Sequence, residues 1–516
     1  LNNNGLVDTG FNVAIGFNST VNSLNIQTDH RIVIGGSFGA FNNTGNNDAT
    51  RLNIDGSLAN DFNIGSGASG DQIKTVALQA DGKILLGGAF NRYNGMLSNR
   101  IARLLPNGSI DATFNIGIGA DNSIGRLAVQ SDGKIIIGGG FTSYNGTAIN
   151  RIARLNTDGS LDSTFNVGSG IGGASRWVEP INIQADGKIL VAGYFSSYNG
   201  TAMSNLARLN TDGSLDATFN IGTGTNDAIY AVATQQDGKI LIGGNFTSYN
   251  GASVWRLARL NTDGSLDATF NMSSSGPNGA IYAITELPDG KILIGGGFSS
   301  YKGTPITGLT RLNSDGSLDT TFNSGTGAYL VTFALQPDGK IIVGGNFTSY
   351  NGTPRNRIAR VNSDGSLDTT FNVGTGINGT TGPNVWSVAA QTDGKLLLGG
   401  QFTSYNTIGR NRIVRISSGD TDNDGVEDAV DFDRDNDGVV DLQDAFPLDP
   451  AESVDTDGDG VGNNADNCVA VANASQTDTD SDGAGDICDN TPNGDTDNDG
   501  LDNLSDNCVS VSNTDQ

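Results

Sequence analysis

Histidine, cysteine and glutamate are almost missing from this 516-residue chain. His30 is the one histidine, and no cysteine precedes Cys468. Ser-His-Asp and Cys-His catalytic arrangements would all have to pass through that single imidazole. Histidine-based zinc sites are disfavoured for the same reason. Only Glu179, Glu286, Glu427 and Glu452 are glutamates among 56 acidic residues. Glutamate suits helices while aspartate suits turns and caps, so helix is expected to be scarce. No apolar run approaches the roughly 18 residues of a membrane-spanning helix, so membrane insertion is not expected. A basic-then-apolar leader is missing too, and a chain that opens on Leu1 reads as a mature chain or a fragment.

Basic charge is absent from one region in particular. The last hundred residues carry 28 acidic side chains and one basic one, Arg434, whereas residues 1–416 hold 28 of each sign. The whole net charge of −27 therefore sits in the tail. Such a polyanion is a poor nucleic-acid binder. The contrast divides the chain into a neutral domain at 1–416 and an acidic one at 417–516.

What fills the first domain is a repeat. The string Asp-Gly-Lys, an apolar triplet, then Gly-Gly or Ala-Gly recurs at Lys83, Lys134, Lys188, Lys239, Lys291, Lys340 and Lys395, with a degenerate copy at Arg31. The period is about fifty-two residues. In step with it run Arg-Leu-Asn-x-Asp-Gly-Ser-Leu-Asp-x-Thr-Phe-Asn, as at Arg208–Asn220, and Phe-Thr-Ser-Tyr-Asn-Gly, as at Phe141–Gly146. Each unit reads as four short strands; in the fifth they are 229–234, 239–246, 256–261 and 266–271. Asp-Gly and Asn-Gly turns separate most of them. Eight such units predict an all-β, eight-bladed β-propeller. The double glycine resembles kelch repeats, and the whole pattern resembles the bacterial delta-60 repeat family, which implies fold more than activity.

Residues 1–12 align with the fourth-strand string, and the eighth unit breaks off near Ile416 without one. Pairing the N- and C-terminal strands would close the ring and hide two sheet edges. The alternative is an open array. Residues present in every unit, namely the Lys of Asp-Gly-Lys, the Arg of the third strand and the Asp of Ser-Leu-Asp, are read as scaffold. The Ser-Leu-Asp string distantly resembles the Asp-box turn of sialidases, itself structural. His30 stands where other units have the turn glycine and reads as a turn variant. Trp177, Tyr230 and Trp386, at the ends of variable Gly-rich connectors, are candidates for stacking on sugar rings. Trp255 looks like a strand-edge residue.

The tail holds five twelve-residue loops of the form Asp-x-Asp-x-Asp-Gly-x-x-Asp/Asn-x-x-Asp. Loop one uses Asp420, Asp422, Asp424, Asp428 and Asp431, with the carbonyl of Val426 at position 7. Loop two uses Asp433, Asp435, Asp437, Val439, Asp441 and Asp444; loop three uses Asp455, Asp457, Asp459, Val461, Asn463 and Asp466. Loop four has Asp478, Asp480, Asp482, Ala484, Asp486 and Asp489; loop five has Asp495, Asp497, Asp499, Leu501, Asn503 and Asp506. Calcium takes about six to eight oxygen ligands, and carboxylates at positions 1, 3 and 5 reach one ion when glycine at position 6 permits the bend. The spacing resembles the EF-hand loop with Asp in place of the closing Glu. Pro447, Pro450 and Asn-rich stretches stand where flanking helices would be.

Asp466-Asn467-Cys468, followed by Asn473, Gln476 and the Asp478–Asp489 string, is similar to a thrombospondin type 3 repeat. That resemblance implies a rod wrapped around about five or more calcium ions, with a Cys468–Cys488 disulfide. Cys508 opens another such motif, whose expected partner would lie past Gln516. Disulfide and calcium together place the protein outside the cell or on its surface, and the first resemblance implies a bacterial one. The expected function is a calcium-binding adhesion or interaction protein without enzymatic activity, whose partner is a glycan or a surface protein. A polysaccharide-active enzyme and a self-associating matrix component are the alternatives.

Overall fold

The structure, a computed structural model, describes residues 11, 13–45, 47–63, 65–173, 177–270, 276–323, 330–379, 384–390, 395–409, 412–416, 431–496, 498–506 and 508–512. The chain forms two compact units that part near residue 418. No helix occurs among the described residues.

Among the described residues the first unit contains eight principal three-stranded antiparallel sheets, one per repeat, beside smaller two- and three-stranded ones. The fifth is representative: Ile229–Thr234 pairs with Ile240–Gly244, which pairs with Leu257–Leu260. Strands form here because the residues are β-branched or aliphatic and end at glycine turns. The middle strand is buried along its length in every sheet apart from its last residue in the longer copies. At the turn before it, Gly238 takes φ 81°, a left-handed conformation that favours glycine. His30 adopts the same conformation at φ 61° and donates its amide to Gln27 O at 2.9 Å, so it is a turn residue.

The expected fourth strand is cut to a single bridge, such as Leu260↔Leu266 or Leu104↔Ile110. The cause is the next residue. The Asp267 carboxylate accepts the amide and hydroxyl of Thr269 at 2.9 and 2.6 Å, which turns the chain before a ladder can grow. The string Phe-Thr-Ser-Tyr-Asn-Gly makes a two-residue hairpin, as at Ser248–Tyr249 with Ala252–Ser253. Its tyrosine is buried and donates to the glycine carbonyl of the Asp-Gly-Ser turn, 2.6 Å from Tyr249 to Gly264.

Neighbouring sheets are joined by the repeated charges. Arg208 Nε lies 2.7 Å from Asp216 Oδ2, Lys188 Nζ lies 3.0 Å from the same oxygen, and the guanidinium sits 4.3 Å over the Phe219 ring. Arg208 Nη1 then donates to Thr262 O of the next sheet at 2.6 Å. The scaffold reading of these residues holds. The double glycine has a packing cause as well. A Cβ on Gly243 would fall 2.6 Å from Ile281 of the next sheet, and one on Gly244 would fall 2.1 Å from Ala228 O.

Both devices recur between the last sheet and the first. Arg415 sits 4.6 Å over the Phe11 ring and donates to Ile54 O, while Gly399 faces Leu24 and Val21 at 3.2 and 3.3 Å. The first strands of all eight sheets touch in sequence, and Asn384–Ala390 also touches Thr20–Ile26. Leu397 and Ile413 share a buried cluster with Val21, Ile32 and Phe11. The expected N-terminal strand itself, residues 1–10, lies outside the described residues.

The second unit has neither helix nor strand among its described residues. Cys468 is its one buried apolar side chain among them, bridged to Cys488. Cys508 is free and exposed.

Candidate functional site

In the tail, aspartate spacing becomes loop geometry through backbone amides. In loop two, Gly438 N donates to Asp433 Oδ2 at 3.1 Å and Val439 N to Asp437 Oδ1 at 2.7 Å. Loops three and four repeat both bonds, with Gly460 and Val461 on Asp455 and Asp459, and Gly483 and Ala484 on Asp478 and Asp482. Loop five repeats them from Gly500 and Leu501 to Asp495 and Asp499. The position-6 glycines hold φ between 86° and 99°, where a side chain would be strained.

The result is three described groups of convergent carboxylates: Asp433, Asp435 and Asp437; Asp455, Asp457 and Asp459; Asp478, Asp480 and Asp482. Within each group one oxygen from every residue lies within 4.8 Å of the others. The like charge of position 12 acts on the position-3 carboxyl in each of them. Asp444 Oδ1 accepts Phe446 N at 2.8 Å, and its Oδ2 is buried with no hydrogen-bond partner. Asp433 Oδ1, Asp435 Oδ2, Asp457 Oδ2 and Asp489 Oδ2 are likewise buried and unpartnered. Burial first, then the like charges of Asp437, Asp444 and Asp433, push the Asp435 carboxyl above its ordinary value. Bare buried carboxylate oxygens aimed at one another are unstable without a cation. Oxygen donors with no nitrogen or sulfur among them fit a hard divalent ion, and calcium in particular.

Position 9 carries hydrogen bonds of its own. Asp441, Asn463, Asp486 and Asn503 each accept the amide of position 2 through a side-chain oxygen, at 3.1, 2.9, 2.7 and 3.0 Å. Each also donates its own amide to the carbonyl preceding position 1. These residues close the loops. The position-7 carbonyls belong to Val439, Val461, Ala484 and Leu501, the residues whose amides hold position 5. Asp420, Asp422, Asp424, Val426 and Asp428 of loop one, and Asp497 of loop five, lie outside the described residues.

In the propeller, the first strand of each sheet carries a β-bulge opposite the double glycine. Tyr230 occupies one bulge and Trp386 stands at the same register in the eighth sheet. Trp177 lies two positions before the bulge of its own strand, paired with Tyr194. The side chains of Trp177 and Trp386 lie outside the described residues. Tyr230 is brought against Tyr282, with ring centroids 5.5 Å apart and planes at 40°. Sequence reasoning missed Tyr282; the signal was its position two residues before the paired Ile284, matching Tyr230 and Val232. Trp255 is exposed at the edge of its sheet.

Comparison with known proteins follows this division. A family described as a domain of unknown function (DUF5122) beta-propeller matches residues 27–62, 79–114, 130–165, 184–219, 235–270, 287–322, 336–371 and 391–421. Thrombospondin type 3 repeats, a calcium-binding type, match 419–452, 453–476 and 477–516. No curated protein matches the chain. Among solved structures, the WD40 beta-propeller domain of Doa1 is similar at 12% identity and a TM-score of 0.40, over 81% of this chain and 96% of that one. The C-terminal WD40 domain of Sif2 gives 12% identity and 0.42, over 78% and 97%. PorZ, a surface component of the type-IX secretion system of Porphyromonas gingivalis, gives 14% and 0.38, over 78% and 55%.

Proposed function

The chain belongs to the DUF5122 beta-propeller family and carries a thrombospondin type 3 tail, and from that premise we propose that it is an extracellular, bacterial calcium-dependent adhesion protein. The propeller is a closed eight-bladed recognition platform, and the tail is a stalk that calcium stiffens. The observation that carries this reading is the set of convergent carboxylates with buried, unpartnered oxygens on glycine-turned loops. Positions 1, 3, 5 and 12 and the position-7 carbonyl would hold each ion, about five or more in all. Bound calcium supplies positive charge that the acidic loops lack. The chain's own residues do the rest: position-6 and position-7 amides orient the carboxylates, and position 9 shuts each loop.

Closure of the ring is supported by Arg415 over Phe11 and by Gly399 against the first sheet. A strand from residues 1–10 would complete the eighth blade. The expected partner is a glycan or a surface protein, met on the face that carries Trp177, Tyr230 and Trp386. The test is retention of calcium-loaded protein on insoluble polysaccharides and intact cells, with and without chelator. Selective retention that chelator weakens supports the reading; no retention on any surface contradicts it.

A further inference from the structure

The eight bulges differ from everything around them. In seven of them the residue before is a buried aliphatic: Val21, Ile73, Ile124, Val178, Ile229, Ile281 and Val385. The bulge residue itself changes from sheet to sheet: Asn22, Lys74, Gly125, Glu179 with Pro180, Tyr230, Tyr282, Val331 and Trp386. A bulge fixes the path of the backbone without needing any one side chain. These positions are therefore where one unit can differ from the next inside an otherwise repeated frame.

Five consecutive sheets turn that freedom into an arc. Their first strands touch in order from Ile73–Leu78 to Ile281–Glu286. Glu179 Oε2 lies 3.1 Å from Arg126 Nη2, and both side chains are partly open to water. Gly125 leaves room beside this pair, since a Cβ there would stand 2.7 Å from Glu179 Oε1. Arg126 is itself an exception, because the same register holds Thr75, Ala231 and Ala283 in neighbouring sheets. The positive charges of Arg126 and Lys74 both act on the Glu179 carboxylate, which burial otherwise raises. On the next two strands come the half-exposed rings of Tyr230 and Tyr282.

We infer that the arc of Lys74, Arg126, Glu179, Tyr230 and Tyr282 on the propeller's inner strands is a binding site for a neutral saccharide. The proposal rests on the reading of the propeller as a recognition platform. The chemistry selects the ligand class. An ion pair that is partly open to water offers donors and acceptors side by side for adjacent hydroxyls. The neighbouring tyrosine faces offer apolar area for the C–H face of a sugar ring. A purely apolar ligand is disfavoured because it would strip water from that pair without replacing its bonds.

The test uses the full calcium-loaded chain. Cello-, manno-, laminari-, malto- and chito-oligosaccharides are titrated by calorimetry into wild type, Glu179→Ala, a Tyr230→Ala/Tyr282→Ala double variant, and Trp255→Ala as a control outside the arc. Thermal unfolding establishes that each variant is folded, and two independent arc variants guard against the loss of one. The expected result is that wild type and Trp255→Ala bind at least one oligosaccharide, while both arc variants weaken binding at least about tenfold. Equal binding by all four proteins overturns the arc and leaves the platform standing. Failure of wild type to bind any of them overturns the saccharide assignment; continued retention on cells would then keep the platform reading, and loss of that too would end both.

Discussion

Asp216 stays charged although its side chain is only 3% exposed, because Arg208 and Lys188 hold the same oxygen. Burial raises its carboxyl, but the Thr218 hydroxyl and amide and the two cations outweigh that and hold it far below the usual range. Removing the arginine would leave Asp216 to Lys188 and Thr218 and would take away the bond to Thr262 O, so Arg208→Ala is expected to destabilise the propeller by roughly 1–3 kcal/mol in denaturant titration. The same chemistry fixes a pH dependence. Asp368 is held at about 2 by Thr370, Arg360 and Lys340 acting against burial. A depressed carboxyl lends stability above its unfolded value near 3.9 and loses it as pH falls through the folded one. The stability difference between wild type and Asp368→Asn should be on the order of 2 kcal/mol at pH 7 and shrink between pH 4 and pH 2. A difference that stays constant over that window would show that Asp368 titrates normally.

At the scale of the element, the double glycine and the bulge are two halves of one joint. Gly243 admits the next sheet and Gly244 lets the bulged backbone come close. Gly243→Ala is expected to overpack the joint by about 1–3 kcal/mol, read as a lower unfolding midpoint. The three longer strands, the turn at His30 and the turns of loops two to five were legible in the sequence, since each is written in turn chemistry or apolar alternation. Two features were not. The fourth strand fails because the Asp267 side chain captures the following amide and hydroxyl, a competition that a run of strand-forming residues conceals. The Glu179–Arg126 pair joins residues of different units, which no spacing rule expresses.

For the whole molecule, two different kinds of cohesion meet in one chain. The propeller is held by buried apolar strands and by charges repeated around it, while the tail has almost no buried apolar side chain among its described residues. If the ring is closed, Phe11 does for the last sheet what Phe114 does for the second, each ring lying beneath an arginine at 4.6 and 4.5 Å. Phe11→Ala should then destabilise the propeller about as much as Phe114→Ala, roughly 3–5 kcal/mol. An open array predicts a nearly silent Phe11→Ala. The central claim is that calcium, rather than packing, holds the tail in its loops. Hydrogen exchange of the full chain with calcium and with chelator tests it most directly, at the amides of Gly438, Val439, Gly460, Val461, Gly483 and Ala484 that carboxylates hold. The account predicts protection in calcium, its loss in chelator, and unchanged protection across the propeller strands. Equal protection of those loop amides in chelator would contradict it.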